Sequence, residues 1–304
     1  MGHLLTDVAN ARVQEEMSAL MGLLLREDSQ AILNVLQPAY AGDISGSASN
    51  VIRVTDYDDA AYNGYGAELT EIGAISPTDP APAKTDITVA RYGFARRPSD
   101  LVKMTDSHGM LNPAALATDF AIGANQKLVE LVAAVMDDFT ATAGTSGAVA
   151  TVAAFFDACS TLRQAKAGGQ LVALLHPKQW GELTKEIATV SGGALQLAES
   201  SQQNIISRGS GFQGFLNGVA VYTSTRVASS GGNYQGGIFD PASAIAWADA
   251  TPVVEFPDRQ ILVGKVLFEM DREPLTAETI YAGSVYLGVS ERQDAGGVTF
   301  ISAA

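Results

Sequence analysis

A long helical pattern over residues 113–143 constrains this chain more than any other feature of its sequence. Apolar residues recur there at helical spacings, Asn112 precedes them as a good N-cap, and Pro113 suits a first helical turn. Gly144 follows and predicts the end of the helix. At 1.5 Å per residue, this helix would be roughly 45 Å long. Helices in globular domains average about 11–12 residues, so the length itself is unusual.

An extended segment precedes the helix. Residues 51–57 and 87–97 alternate like β-strands, and residues 68–75 are a further strand candidate. Residues 76–82 are rich in proline, which disfavours a helix. Residues 50–97 therefore predict a long β-hairpin with few large apolar residues for a core of its own. A two-stranded ribbon is marginally stable in water, so we expect a neighbouring subunit, and not the same chain, to order it.

The N-terminal segment, residues 4–36, also has apolar residues at roughly helical spacing. Residues 38–50, rich in Gly, Ala and Ser, end this pattern. Two interpretations stay open: an arm that docks elsewhere, for example on another subunit, or the first helix of the domain. Glu15 and Glu16 precede the most apolar part, so a signal peptide is not predicted. No apolar run reaches the roughly 18–20 residues that a membrane span needs.

Residues 144–254 predict a compact α/β layer. The continuous apolar run from Leu171 to Leu175 is typical of a buried strand, and Pro177 opens the next helix. The predicted elements are helices over 152–165 and 177–189, a loop over 191–214, and strands over 171–175, 218–222 and 237–239. Residues 252–304 add further strands, including 260–270 and 283–290.

The composition excludes some classes of protein. Hydrophobic residues make up 47% of the chain and charged residues only 17%, which excludes wholesale disorder. The net charge is −14, and the 19 Lys and Arg residues are scattered, so tight binding to duplex DNA is not expected. Cys159 is the only cysteine, so no disulfide can form within the chain; in its apolar segment it is interpreted as a small core residue.

Residues that carry catalysis or bind metals are sparse. The three histidines, His3, His108 and His176, are far apart and have no zinc-ligand spacing; His176 is interpreted as the end of a strand. Residues 209–214 match the glycine fingerprint of dinucleotide-binding proteins. A predicted loop and strand follow them, however, where the fingerprint needs a helix and then an acidic residue. The sequence therefore predicts no catalytic, cofactor-binding or metal-binding residue.

The order of elements is a helical arm, an extended ribbon, a long helix, an α/β layer and closing strands. It resembles the major capsid proteins of tailed bacteriophages, whose α+β HK ninety-seven-like fold is shared with bacterial encapsulins. Four segments carry the resemblance, which covers nearly the whole chain. They are residues 87–101, similar to the ribbon's return strand and the start of the long helix; 174–183, similar to a strand–His-Pro–helix element; 215–221, similar to a "G-x-PV" strand with Ala220 where proline is common; and 237–245, similar to the next strand and turn.

The resemblance implies a division of the chain. Residues 1–49 would be an N-terminal arm, and residues 50–98 the extended β-hairpin called the E-loop, which lies across an adjacent subunit. Residues 99–143 with 255–304 would form the peripheral P domain with its long spine helix. Residues 144–254 would form the axial A domain, which meets its copies at the centres of pentamers and hexamers.

The resemblance also implies a function: a structural shell subunit, and not an enzyme. Such a subunit self-assembles in the bacterial host cytoplasm into the pentamers and hexamers of an icosahedral virion capsid. The shell encloses double-stranded DNA without sequence-specific binding, and acidity suits that task. A removable scaffolding domain is missing at the N-terminus, so a separate scaffold protein or an already mature chain is expected. The portal is another expected partner and a decoration protein a further one; no cofactor and no membrane are involved.

Some family members crosslink a ribbon lysine to a neighbour's asparagine. Lys84 is the only lysine of the ribbon and lies in its Pro-rich part, so this chemistry is not expected here. Two alternative functions remain. An encapsulin-type nanocompartment would have the same fold with an enzyme cargo in place of DNA. An α/β enzyme with an unrecognised pocket would need a preformed concave site with convergent polar groups.

Overall fold

The computed structural model describes residues 49–57, 82–105, 113–165, 169–189, 212–227, 229–257, 259–263 and 265–304. The predicted N-terminal arm and the strand predicted over residues 68–75 lie outside these ranges. The first half of the described chain contains β1 Val51–Tyr57, β2 Pro82–Thr88, β3 Ala90–Arg96, α1 Asp100–Thr105, α2 Pro113–Met136, β4 Thr142–Gly144, α3 Val152–Gln164, β5 Val172–Leu175 and α4 Pro177–Thr189. The second half contains β6 Phe212–Leu216, β7 Val219–Thr223, β8 Ser229–Ser230, β9 Asn233–Phe239, β10 Ile245–Ala250, β11 Gln260–Val263, β12 Val266–Glu273, β13 Glu278–Glu291, a 3₁₀ turn Asp294–Gly296 and β14 Gly297–Ala303.

Two larger sheets form the body of the described chain. In the five-stranded sheet, the long strand β13 is central: β12 and then β10 pair along one edge, β3 pairs along the other, and β11 extends the sheet beyond β12. The seven-stranded sheet has the order β4-β14-β9-β5-β7-β6, with β8 on β9. Its β4–β14 and β5–β7 pairs are parallel, and its remaining pairs are antiparallel.

Helix α2 packs against both larger sheets. Near its N-terminal end, Phe120 is 1% exposed and lies against Phe268 of the five-stranded sheet, with ring centroids 5.6 Å apart. At its C-terminal end, Met136 is fully buried against β9 of the seven-stranded sheet. A Cβ atom on Gly237 would lie 2.7 Å from the sulfur of Met136, so the close approach of helix and strand needs glycine there. One helix thus joins the cores of the two sheets.

The long helix begins where the sequence predicts but ends earlier. It stops at Met136 and not at Ala143, so its 24 residues span about 36 Å. Its last turn tightens into i→i−3 hydrogen bonds, and the Thr299 hydroxyl donates to the Met136 carbonyl oxygen at 2.7 Å. Phe139 is buried beyond the helix, in a turn. The apolar spacing therefore continued past the true end because the turn also buries a large side chain.

The predicted return strand over residues 87–97 is two strands. The strand is interrupted at Val89, which separates β2 from β3. Val89 is 4% exposed, and its N–H donates to the Asn50 carbonyl oxygen at 2.9 Å. Before the break, β2 pairs with β1; after it, β3 joins the five-stranded sheet beside β13. Lys84 consequently lies within β2, opposite Thr55, and not in a Pro-rich loop.

Other predictions divide into confirmed and corrected ones. The structure confirms the helices predicted over 152–165 and 177–189 and the strand predicted over 171–175 to within a residue. The single strand predicted over 260–270 is wrong, because β11 and β12 form an antiparallel pair there. The loop predicted over 191–214 contains the start of β6.

The pairing of strands in the two larger sheets does not follow the division of the chain at residues 144 and 255, which stays a prediction from the resemblance. Strand β10, expected in the axial part, pairs with β13 of the five-stranded sheet. Strand β14, expected in the peripheral part, lies between β4 and β9 in the seven-stranded sheet. The five-stranded sheet therefore includes a strand from the segment expected to be axial, and the seven-stranded sheet includes β14 and most of β4 from the segments expected to be peripheral.

Candidate assembly surfaces

The ribbon formed by β1 and β2 is an antiparallel pair with its register fixed from Val51 opposite Thr88 to Tyr57 opposite Pro82. On its exposed face, the Arg53 guanidinium donates two hydrogen bonds of 2.7 Å to the Asp86 carboxylate. These bonds lower the pKa of Asp86 and raise that of Arg53. Both side chains are solvated, so the pair fixes register more than it stabilises the fold.

The base of the ribbon packs on its own chain. Ile87 is fully buried, and Ile52 and Val89 are nearly so. They contact a row of small side chains on one face of β10: Ala246, Ala248 and Ala250. The opposite face of β10 turns Ile245 and Trp247 towards the core that contains α2. The prediction that only a neighbour would order the ribbon is therefore wrong for its base.

One end of the five-stranded sheet exposes large apolar side chains. Helix α1 lies beside the turn between β12 and β13, because the Asp100 N–H donates to the Ala277 carbonyl oxygen at 2.9 Å and Arg272 pairs with the Asp100 carboxylate at 2.7 Å. At this end, Leu101 is 69% exposed, Met104 78% and Leu275 95%. We call these three side chains the apolar tip. Exposed apolar groups gathered at one place are typical of protein–protein contacts.

The seven-stranded sheet presents a second candidate contact surface around the start of α3. Carboxylates of α4 satisfy backbone groups there: Glu182 accepts from the Ala150 N–H at 2.8 Å, and Glu186 accepts from the Val152 N–H at 2.7 Å. Negative charge at a helix N-terminus is stabilising. The surface beside this rigid junction carries two exposed apolar side chains, Val149 and Phe156.

Four carboxylates gather where α2 ends and β13 leads into the 3₁₀ turn. Asp294 accepts from the Thr140 N–H at 2.7 Å. Burial raises the pKa of Glu291, and the carboxylates of Asp294 and Asp138 raise it further. Burial and then Asp138 raise the pKa of Asp137. The C-terminal end of a helix also disfavours negative charge, so this junction is electrostatically unfavourable at neutral pH.

The described residues include no cluster of histidine, cysteine, aspartate and glutamate that could hold a metal ion. His176 directly follows β5 and stacks on Tyr234, with ring centroids 3.7 Å apart and an interplanar angle of 7°. Its Nδ1 accepts from the Lys178 N–H at 3.2 Å, and burial followed by the nearby Lys178 charge lowers its pKa. Cys159 is fully buried, and burial raises the pKa of its thiol. His3 and His108 lie outside the described residues.

The glycine fingerprint falls partly within the described chain, which begins again at Phe212. Strand β6 starts there and is followed by β7 across a tight turn at Asn217 and Gly218, both with positive φ. A strand therefore stands where a dinucleotide fold needs a helix. The Asn-Gly pair is a strong hairpin signal that the sequence reasoning did not use.

A surface groove of about 350 Å³ lies between β3 and α2. Its charged side chains bond to neighbours within the groove, each at 2.7 Å: Arg96 to Asp119, Lys127 to Glu130, and Arg226 to the side-chain carbonyl oxygen of Gln126. A substrate would find these groups already engaged. The groove therefore does not offer the convergent polar groups typical of an enzyme pocket.

Comparison with known proteins decides the family. A family model described as phage capsid protein matches residues 82–299, well over half of the chain. The chain belongs to this phage capsid protein family. It is therefore a structural subunit of a phage capsid, and its place is in the virion. No curated protein sequence matches the chain. Among the helices that the structure describes, none is long and apolar enough to cross a membrane.

Solved structures show the fold of this capsid protein. A chain from Mycobacterium phage Che8 has a TM-score of 0.59 at 15% identity, covering 88% of this chain and 89% of that one. The capsid of Ralstonia phage GP4 has a TM-score of 0.58 at 11% identity, covering 85% of this chain and 84% of that one. The holo-SrpI encapsulin complex from Synechococcus elongatus has a TM-score of 0.57 at 11% identity, covering 89% of this chain and 86% of that one. The HK ninety-seven-like fold expected from the sequence is confirmed.

Proposed function

We propose that this capsid protein forms the hexamers and pentamers of an icosahedral shell around packaged double-stranded DNA, and that its role is structural and not enzymatic. Membership of the phage capsid family supports the shell. The observation that carries the proposal is the apolar surface that the single chain leaves exposed at separate places, including Leu275, Met104, Val253 and Val149. In a shell each subunit meets several neighbours at once, and such surfaces become contacts.

The two larger sheets would form the two domains of the shell subunit. The seven-stranded sheet with α3 and α4 would form the axial domain, which meets its copies at the centre of each hexamer or pentamer. The five-stranded sheet with α1 would form the peripheral domain, whose apolar tip contacts neighbouring subunits. Helix α2 would act as the spine helix, since it packs against both sheets. The ribbon, with residues 58–81 between its strands, would serve as the E-loop.

Several partners belong to the proposal. A separate scaffold protein would guide assembly, and a portal and a decoration protein are further candidate partners. The net charge of −14 supports enclosure of DNA without adhesion, because an acidic protein repels a polyanion.

Electron microscopy of the expressed chain, with candidate scaffold supplied where assembly needs it, tests the shell. We expect closed particles with hexamers and pentamers. A variant with Leu275→Asp and Met104→Asp should remain folded, because both side chains are exposed, but should assemble poorly. Ser229→Asp with Ser230→Asp, at two exposed positions of β8 away from the tip, is the control for two added negative charges. Only small discrete oligomers for the unaltered chain under all assembly conditions would contradict the proposal.

The encapsulin-type compartment is the second candidate, since one similar structure is an encapsulin complex. The two functions differ in contents and not in fold. Particles purified from cells infected by the phage should hold DNA that nuclease cannot reach. Particles that hold a stoichiometric enzyme and no protected DNA would instead support the nanocompartment.

Covalent crosslinking through Lys84 is not part of the proposed function. Lys84 is exposed on β2, opposite Thr55. We expect intact monomer bands when mature particles are boiled in denaturant and run on a gel. A ladder of linked subunits that disappears in a Lys84→Arg variant would contradict this expectation.

A further inference from the structure

The start of helix α4 is closed by a capping box in which one member is a histidine. His176 directly precedes the helix, whose first residue is Pro177. The imidazole Nδ1 accepts from the Lys178 N–H at 3.2 Å, and the Gln179 side-chain oxygen accepts in return from the His176 N–H at 3.0 Å. In the usual form of this motif the first position is serine or threonine, whose hydroxyl stays uncharged at ordinary pH. His176 fills the position with a group that titrates near neutral pH.

Only the neutral imidazole can close this box. An imidazole nitrogen accepts a hydrogen bond only while it carries no proton, so the bond from Lys178 requires a bare Nδ1 and places the single ring proton on Nε2. A second proton, on Nδ1, would set two donors against each other. It would also place a positive charge at a helix N-terminus, where the helix dipole disfavours cations. The first turn of α4 contains no acidic residue that could offset this charge.

The groups around the ring hold it in place and favour its neutral form. Tyr234 of β9 stacks on it with ring centroids 3.7 Å apart, so the ring cannot turn away without losing this contact. Burial and then the Lys178 charge lower the pKa of His176. Strand β7, which pairs with β5 beside the helix start, carries no charged side chain. Among the described residues, Lys178 is thus the charged group that acts on the imidazole.

Gln179 extends the consequence beyond the helix start. Its amide donates to the backbone carbonyl oxygens of Tyr234 in β9 and Phe300 in β14, so the capping box and the junction between helix and sheet share one side chain. We propose that protonation of His176 on Nδ1 opens the capping box and loosens the start of α4 from the seven-stranded sheet. This switch acts in mildly acidic solution, where histidine titrates. It lies within one chain and does not depend on the shell function.

Acid should therefore weaken the fold at this point. Because the pKa of His176 is lowered, the unfolded chain binds a proton over a pH range in which the folded chain does not. The stabilisation is complete above the ordinary histidine pKa of 6.5 and is lost as the pH falls below it towards the lowered value. Glu291, whose pKa is raised, acts in the opposite sense. Variants at position 176 must therefore be compared with the unaltered chain at each pH, so that the other groups cancel.

Urea unfolding of the unassembled chain and two variants, from about pH 8 to about pH 5, tests the proposal. His176→Asn keeps a good N-cap that does not titrate, and His176→Ala removes the cap at every pH. The unfolding equilibrium constant of the unaltered chain, divided by that of the Asn variant, should rise by about three- to tenfold as the pH falls through this range. The constant of the Ala variant should be about fivefold that of the Asn variant at every pH. A ratio of unaltered chain to Asn variant that does not change with pH would overturn the proposal.

Nuclear magnetic resonance with selective ¹⁵N-lysine labelling locates the effect at the cap. The Lys178 amide signal, identified by its loss in Lys178→Arg, should shift with the same midpoint as the His176 imidazole and should not shift in His176→Asn. Lys178→Gln should move the imidazole midpoint to higher pH, because it removes the nearby positive charge. The amide of Lys185, later in the same helix, is the control and should not follow the imidazole. A Lys178 amide that ignores pH, or that shifts equally in His176→Asn, would show that the capping box does not titrate.

Discussion

The side-chain amide of Gln179 donates to the backbone carbonyl oxygen of Phe300 at 3.0 Å, inside the seven-stranded sheet's core. Gln179 is fully buried, and its amide also donates to the Tyr234 carbonyl oxygen at 3.2 Å. Its carbonyl oxygen accepts from the His176 N–H at 3.0 Å. One side chain thus joins α4 to both β9 and β14, elements that lie far apart along the chain.

Gln179→Leu tests this junction. Leucine fills a similar volume but leaves one buried and two partly buried backbone groups without this partner, so the free energy of unfolding should fall by about 2–4 kcal/mol. Urea unfolding of the unassembled chain measures the loss. Gln164→Leu is the matched control on α3, where the glutamine is exposed, and should change stability by less than about 0.5 kcal/mol. Equal effects at the two positions would rule out the assigned role of Gln179.

The contact between α4 and the start of α3 gives a second prediction. Glu186→Ala removes a charged acceptor from the Val152 N–H, which should lower the free energy of unfolding by about 1–2 kcal/mol. The loss should shrink at high salt, because part of it is a charge–dipole interaction. The control is Glu130→Ala, which breaks an exposed pair with Lys127 on α2 and should cost at most about 0.5 kcal/mol. Thermal unfolding at two salt concentrations compares them.

Local patterns in the sequence predicted the α/β layer well because those elements bury one continuous core. The buried strand over 172–175 and the helix opened by Pro177 have local causes: a run of apolar residues and a proline at the first helical turn. The long helix was predicted for the same reason. Its end was not, because Phe139 is buried in a turn whose partners, such as Thr299, lie far along the chain.

Long-range pairing explains the other errors. Nothing near Ala246 indicates that β10 will pair with β13, or that its three small residues will support the ribbon. The break at Val89 likewise depends on distant strands, since β3 follows β13 while β2 follows β1. The assembly surfaces could not be predicted from the sequence for a related reason. A sequence contains apolar residues such as Leu275, but only the fold shows which of them stay exposed.

The carboxylate cluster at the end of α2 predicts a pH dependence. Because the pKa of Glu291 is raised, the folded chain keeps a proton over a pH range in which the unfolded chain has lost it. The contribution of Glu291 to the free energy of unfolding should therefore rise as the pH falls from 7 through the raised pKa, and this gain is complete below the ordinary carboxyl pKa of 4.5. Glu291→Gln should reduce the gain.

Urea unfolding of the unassembled chain at a series of pH values checks this effect as a difference between variant and unaltered protein. Carboxylates with a lowered pKa, such as Asp86 and Asp100, stabilise the fold at neutral pH, and that stabilisation is lost as the pH falls. Their contribution is the same in both proteins, so it cancels in the difference. Glu255→Gln removes a charge from an exposed loop and is the control. A pH profile unchanged by Glu291→Gln would contradict the electrostatic account of the junction.

The base of the ribbon yields the last prediction. Ile87 is fully buried against the small side chains of β10, so Ile87→Ala leaves a cavity and should cost about 2–4 kcal/mol. Val51→Ala, in the paired strand at a position 37% exposed, should cost less than about 1 kcal/mol. Hydrogen exchange should show faster opening of β1 and β2 in the Ile87 variant, while the amides of β5 stay protected. If a neighbouring subunit alone held the ribbon, both variants would exchange alike in the unassembled chain, and they would differ only within shells.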